Sequence, residues 1–187
     1  MVSYKIKITE VEDYLDKNLK RNHLSLGFDV ALHTTGIALL RTTNDFLIIE
    51  HTHKLITPKE AIEEKAEDIF TSQLDTYKNK IVQEYSLNSV VIENCFYGQN
   101  VKTLKGLARC SALARDRFKT ISDECYYKFP KQIRKIINCN TGKLKAYQLK
   151  KYVVEYINAA LNLQLKNKDH DIADAFACAL VGLIDND

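Results

Sequence analysis

Proline and glycine are scarce, two and six in 187 residues. There is no Pro/Gly-rich linker, no internal repeat and no low-complexity tract, so a single domain over residues 1–187 is expected. Long hydrophobic runs are missing too. No stretch approaches the roughly 18 apolar residues that span a bilayer, and MVSYKIKITEVEDYLDKN lacks the apolar segment of a signal peptide. The expectation is a soluble, cytoplasmic protein with no membrane partner. The five cysteines, Cys95, Cys110, Cys125, Cys139 and Cys178, are odd in number, widely spaced and without a CxxC pair. That spacing argues against a disulfide frame or a zinc site and for reduced thiols, read as small core residues.

What is present is a chain 45% hydrophobic and 27% charged, long enough to bury a substantial core. The net charge of +3 conceals an uneven distribution. Between Lys102 and Lys151, 14 Lys/Arg stand against Asp116, Asp123 and Glu124, a balance of +11, whereas the remainder holds 13 basic and 21 acidic residues, or −8. A basic middle in an acidic remainder suits a polyanion, although solvated helix faces give the same count.

Residues 9–20 read as a short amphipathic helix in an N-terminal helical extension, residues 1–23, ahead of a core at 24–187. From Leu24 to Ala31, bulky Leu24, Leu26, Phe28 and Val30 alternate with Ser25, Gly27, Asp29 and Ala31, the pattern of a strand with one greasy and one small face. GIALLRT and DFLIIEHTHKL complete an antiparallel meander. A long helix is expected from Thr57-Pro58, with Glu60 in a capping box, to about residue 86. Next come a buried strand over Ser89 to Glu93, a helix from Asn100 to about Phe118, a strand near Cys125 to Phe129 and a short helix over Lys131 to Ile137. Helices from about Leu144 to Leu161 and from near Asp171 follow. The fold class is α/β, a five-stranded mixed sheet with an antiparallel meander, parallel strands and helices on both faces.

Four acids occupy unusual places. Asp29 lies in a strand where ionisation is expensive, and Glu93 ends another. Asp171 and Asp174, three apart in HDIADAFACALVGLI, share a helix face, where like charges repel. Asp171 also suits a helix start beside the macrodipole; Asp174 sits a turn in, among alanines. An oxygen-only set of this kind suits Mg²⁺ or Mn²⁺ rather than Zn²⁺. Two such ions activate water and stabilise a phosphodiester's leaving oxygen. His51 and His53 point to one side of a strand and read as polar surface rather than a metal pair; His170, next to Asp171, is placed to contact a ligand or metal but reads first as part of the loop entering the last helix.

Taken together, GFDVALHTTGIALL, VVIENCFYGQN and HDIADAFACAL resemble, in order, three motifs of the RuvC Holliday-junction resolvases, within the RNase H-like superfamily. The likeness runs from about Leu24 to the C-terminus. It implies that Asp29, Glu93, Asp171 and Asp174 are catalytic ligands of two Mg²⁺ ions, with Mn²⁺ as a substitute. It makes Phe96, with Tyr97 beside it, the aromatic that stacks on bases at a junction. PKQIRKIINCNTGKLKAYQL is similar to the family's basic segment and places Arg134 and Lys145 at its functional positions, Lys145 in a catalytic role, with Lys143 competing for that place. Lys102 and Lys105 are further DNA contacts, Lys102 because Gln99 stands where the motif usually has lysine. The resemblance implies a homodimer that nicks four-way DNA junctions in symmetric pairs, in a bacterial or phage-infected cell. A nuclease for forks, flaps, D-loops or RNA-containing duplexes keeps the same chemistry. A non-catalytic junction binder would gain nothing from four acids.

Overall fold

The structure is a computed structural model and describes residues 4–58, 63–94, 101–142 and 144–185. Its centre is the alternating segment read from the sequence, β2 (Leu24–Asp29), which pairs antiparallel with β3 (Thr34–Thr42), itself antiparallel to β4 (Phe46–Ile56). On its other side β2 runs parallel to β5 (Leu87–Glu93), and β5 runs parallel to β6 (Ser122–Lys128).

The sheet has six strands, not the expected five. Tyr4–Lys7 forms β1 and pairs antiparallel with Phe46 to Ile49 of β4, giving the order β1-β4-β3-β2-β5-β6. Four residues with one buried apolar side chain, Ile6, are too short a pattern to announce a strand. They pair because the outer edge of β4 presents unused backbone donors and acceptors. The helix that follows, α1 (Ile8–Leu15), stops well before residue 20, because Asp16 adopts a left-handed conformation with φ 51°. Thr57, expected as a helix cap, donates its N–H to the His33 carbonyl at 2.9 Å, and the residues that follow it, 59–62, lie outside the described ones. The described part of the long helix is α2 (Glu63–Glu84); Glu60 of the expected capping box lies outside the described residues.

The remaining helices are α3 (Val101–Phe118), α4 (Pro130–Ile136), α5 (Ala146–Ala160) and α6 (His170–Leu183). The bulky face of β2, with Ile37 and Leu39 of β3, packs on Phe70, Leu74, Tyr77 and Ile81 of α2 and on Cys110, Ala114 and Phe118 of α3. Phe28 and Phe118 meet there with ring centroids 5.0 Å apart. Such a fully buried phenylalanine contributes about 3–5 kcal/mol by the cost of its truncation to alanine. The opposite face carries α6, with α1, α4 and α5 packed around it. Among the described residues no helix is long and apolar enough to cross a membrane, and Cys110, Cys125, Cys139 and Cys178 are free thiols.

Why α6 lies so close to the sheet is written in glycines. A Cβ on Gly27 of β2 would overlap the Ala175 carbonyl oxygen and the Ala179 amide nitrogen, and one on Gly36 of β3 would overlap the Asp171 carbonyl. Within the helix, a Cβ on Gly182 would strike the hydroxyls of Ser25 and Ser89. The small face of β2 is therefore a groove that seats α6 backbone against backbone.

Candidate active site

That seating decides where the acids go. Asp29 is the last residue of β2 and Glu93 the last of β5; since Phe28 is level with Ile92 in the parallel pair, both acids leave the sheet side by side at the same end. Asp171 and Asp174 arrive from above on the first turns of α6. All four are partly reachable from solvent.

Asp29, Gly36 and Lys54 form one row across β2, β3 and β4. Lys54 on that row reaches α6: its Nζ stands 3.6 Å from an Asp169 carboxylate oxygen and 3.7 Å from Asp171 Oδ2. Asp171 is also held by its neighbour, with His170 Nδ1 2.8 Å from Oδ1. Lys150 Nζ lies 3.4 Å from His170 Nε2. An ammonium can only donate, so Nε2 accepts and the ring hydrogen on Nδ1 goes to Asp171. The chain Lys150, His170, Asp171, Lys54 thus ties α5, α6 and β4 around one carboxylate.

The other three acids share one strained field. Burial pushes Asp29 well above the usual carboxylate range, and the charges of Glu93, Asp174 and Asp171 push it further. Burial, then Asp174, raises Glu93 to about 8 against the pull of Arg134 and Lys150. Asp174 is raised to about 6 by burial and Asp171, again opposed by Lys150 and Arg134. Cys178 donates to the Phe28 carbonyl at 3.4 Å, and burial plus the charges of Glu93, Asp29 and Asp174 hold its thiol protonated. Among the described residues no three His, Cys, Asp or Glu side chains surround a common ion-sized point; the acids share a field rather than a coordination sphere. The donor set nonetheless fits a hard divalent cation, because it is all oxygen and sets four carboxyl groups against the three cations Lys54, Arg134 and Lys150.

Of the basic residues expected here, Arg134 on α4 is half-buried and acts on Glu93 and Asp174. Lys145 is exposed at the start of α5, where its N–H donates to Gln148 Oε1 at 3.1 Å. The α5 cation that acts on Asp29, Glu93 and Asp174 is Lys150, exposed and five residues further on. Lys105 is exposed on α3. Phe96, Tyr97 and Lys143 lie outside the described residues, as does the side chain of Lys102.

Residues 25–182 match the family model for crossover junction endodeoxyribonuclease RuvC. The chain belongs to the RuvC family. A crossover junction endodeoxyribonuclease RuvC from Carboxydothermus hydrogenoformans is 30% identical over 162 residues, covering 85% of this chain and 94% of that protein. One from Alkaliphilus metalliredigens is 26% identical over 156 residues, covering 83% and 89%. The RuvC fold is shared with Thermus thermophilus RuvC in complex with a Holliday junction substrate, at a TM-score of 0.64 and 12% identity over 84% of this chain and 91% of that one. The yeast mitochondrial Holliday junction resolvase Ydc2 shares it too, at a TM-score of 0.56 and 11% identity over 92% and 82%.

Sequence reasoning overlooked Lys54 and Lys150 and underrated His170. A signal for Lys54 was present: it occupies a strand position on the opposite face from His51 and His53, the same face as Asp29 once the strands are in register. Nothing in the linear order marked Lys150 above Lys151.

Proposed function

We propose that this chain is a divalent-metal-dependent endonuclease that resolves four-way DNA junctions by paired, symmetric nicks, acting as a homodimer with Asp29, Glu93, Asp171 and Asp174 as its metal ligands. The observation that carries the reading is the convergence of these acids from two parallel strand ends and one helix, with three held above their normal ionisation range. A fold does not gather repelling carboxylates in one place for stability. When bound, two Mg²⁺ ions, or Mn²⁺ in their place, would supply an activated water and charge stabilisation for the leaving oxygen.

The chain's own residues do the rest. Lys54 and His170 hold the Asp171 carboxylate in one orientation, and the alanines around Asp174 keep the helix low enough for its acid to face Glu93. Arg134 and Lys150 put positive charge beside the acids, where the phosphates of an incoming strand need it. Two-fold pairing of identical subunits would set two such sites on strands of like polarity.

The decisive experiment incubates wild type and Asp29→Asn with labelled four-way junction, fork, flap and linear duplex, in Mg²⁺, Mn²⁺ or EDTA. Paired nicks in the junction alone, abolished in the variant and in EDTA, are expected. Equal cutting of forks or flaps would move the substrate to branched DNA at large, and binding without cleavage under any metal would overturn the enzymatic reading.

A further inference from the structure

On the sheet face opposite the acids, β4 and α2 enclose a groove of about 460 Å³ whose lining includes His51, His53, Ser72, Gln73, Tyr77 and Lys80. His53 stacks on Tyr77, with ring centroids 5.3 Å apart and planes 7° from parallel; His51 tilts against the same phenol ring at 5.7 Å. Two polar atoms here are buried and lack a hydrogen-bond partner among the described residues: His51 Nδ1 and the hydroxyl of Tyr77, a residue only 4% exposed. A buried polar group left unpaired is costly, so two in one groove point to a ligand that pairs them. No carboxylate lines the groove among the described residues, and exposed Lys80 supplies its positive charge.

We infer that this groove binds a phosphate group, with the Tyr77 hydroxyl and the His51 and His53 imidazoles as hydrogen-bond donors and Lys80 as the charge partner. The donors fit an oxyanion with several acceptor atoms. A transition metal is the other ligand that paired imidazoles suggest, but Lys80 acts electrostatically on both rings and would repel it. Burial holds the Tyr77 phenol well above its ordinary range, so it stays protonated and able to donate. The phosphate can belong to a nucleic-acid backbone or to a free nucleotide. Lys54, next to His53 in sequence, also borders the groove, but its Nζ is engaged by Asp169 and Asp171, which leaves Lys80 as the groove's charge partner.

The test follows the five histidine ring resonances by NMR while the full-length protein is titrated separately with inorganic phosphate, a deoxynucleoside monophosphate, a short duplex and Zn²⁺. Saturable shifts of His51 and His53 with phosphate, and unmoved His23, His33 and His170, are expected. Lys80→Ala, at an exposed position, should weaken that binding about tenfold, and Tyr77→Phe, which keeps the stacked ring, about threefold or more. Tighter saturation by the mononucleotide assigns a free nucleotide; tighter saturation by duplex, lost at high salt, assigns a DNA backbone. A response to Zn²⁺ alone, uniform shifts of all five rings, or no response to any phosphate would overturn the assignment, whatever the result of the cleavage assay.

Discussion

Gly36 on β3 lies directly under the main-chain carbonyl of Asp171, with no room between them for a single methyl group. Its neighbour across the ladder is Asp29. One position thus sets the distance between the strand that carries one candidate ligand and the helix that carries two others.

Gly36→Ala should therefore damage the site before it destroys the fold. Overpacking of this kind costs about 1–3 kcal/mol, and the strain can be relieved only by lifting the start of α6. We expect a lower melting temperature and a loss of junction cleavage larger than the loss of stability explains, with junction binding retained. Calorimetry and a cleavage assay on one preparation check it; a destabilised variant with wild-type turnover would show that the height of α6 is not critical.

Lys150 and Lys145 make opposite predictions. Lys150 is the α5 cation that counters the charge of Glu93 and Asp174 and touches His170, whereas Lys145 is exposed at the helix start. If the family role of the basic segment is carried by electrostatics at the acids, Lys150→Ala should cut the cleavage rate about tenfold or more, corresponding to one lost charge contact. Lys145→Ala should then act mainly on junction affinity and its salt dependence. Rates at saturating junction separate the two, and a Lys145→Ala defect confined to the cleavage step, with Lys150→Ala neutral, would restore the reading made from the motif.

The meander, the parallel pair and α6 were legible because their signals are local: period-two alternation in Leu24–Asp29, a buried run ending in Glu93, and the apolar stripe Ile172, Ala175, Phe176, Ala179, Leu180 and Leu183 at helical spacing after Asp171. The family motifs then supplied the four acids. What stayed hidden depended on register. Lys54 joins the site only because β4 aligns it with Gly36 and Asp29, and β1 exists only because β4 leaves an edge for it. Likewise His51 and His53 do share one side of their strand, but Tyr77, which turns that side into a groove, is 24 positions beyond His53 in sequence.

Asp171 gives a third prediction. Lys54 and His170 both hold its carboxylate, so Lys54→Met should free it to rotate without adding a charge. Partners that orient a metal ligand are typically worth about 10–100-fold in affinity or activity. The expected result is a rise of that order in the Mg²⁺ concentration needed for half-maximal cleavage, partly recovered by Lys54→Arg. An unchanged metal requirement would reduce Lys54 to a surface ion pair.

The raised acids make the metal-free protein sensitive to pH in an unusual direction. In the fold Glu93 keeps its proton up to about 8, whereas its ordinary value is 4.5. Between these values the folded state binds more protons than the unfolded state, so stability is lost as pH rises through that window. Asp174, raised to about 6 from 3.8, acts in the same direction at lower pH. His23, His51 and His53 are held below 6.5 and act in the opposite direction, an effect that fades as pH rises above their ordinary value. Over the interval from pH 7 to 8.5 the raised carboxyls of Glu93 and Asp29, which act in the same direction and on each other, therefore set the slope. In EDTA the melting temperature should fall across it; Glu93→Gln should flatten the slope and melt higher than wild type at pH 8.5. Mg²⁺ should stabilise wild type more at pH 8.5 than at pH 7, because ionised acids bind it without first releasing a proton. A melting temperature that climbs over this interval, or a slope untouched by Glu93→Gln, would mean that the Glu93 carboxyl is already ionised in the metal-free fold and that the crowding of acids is relieved without a metal.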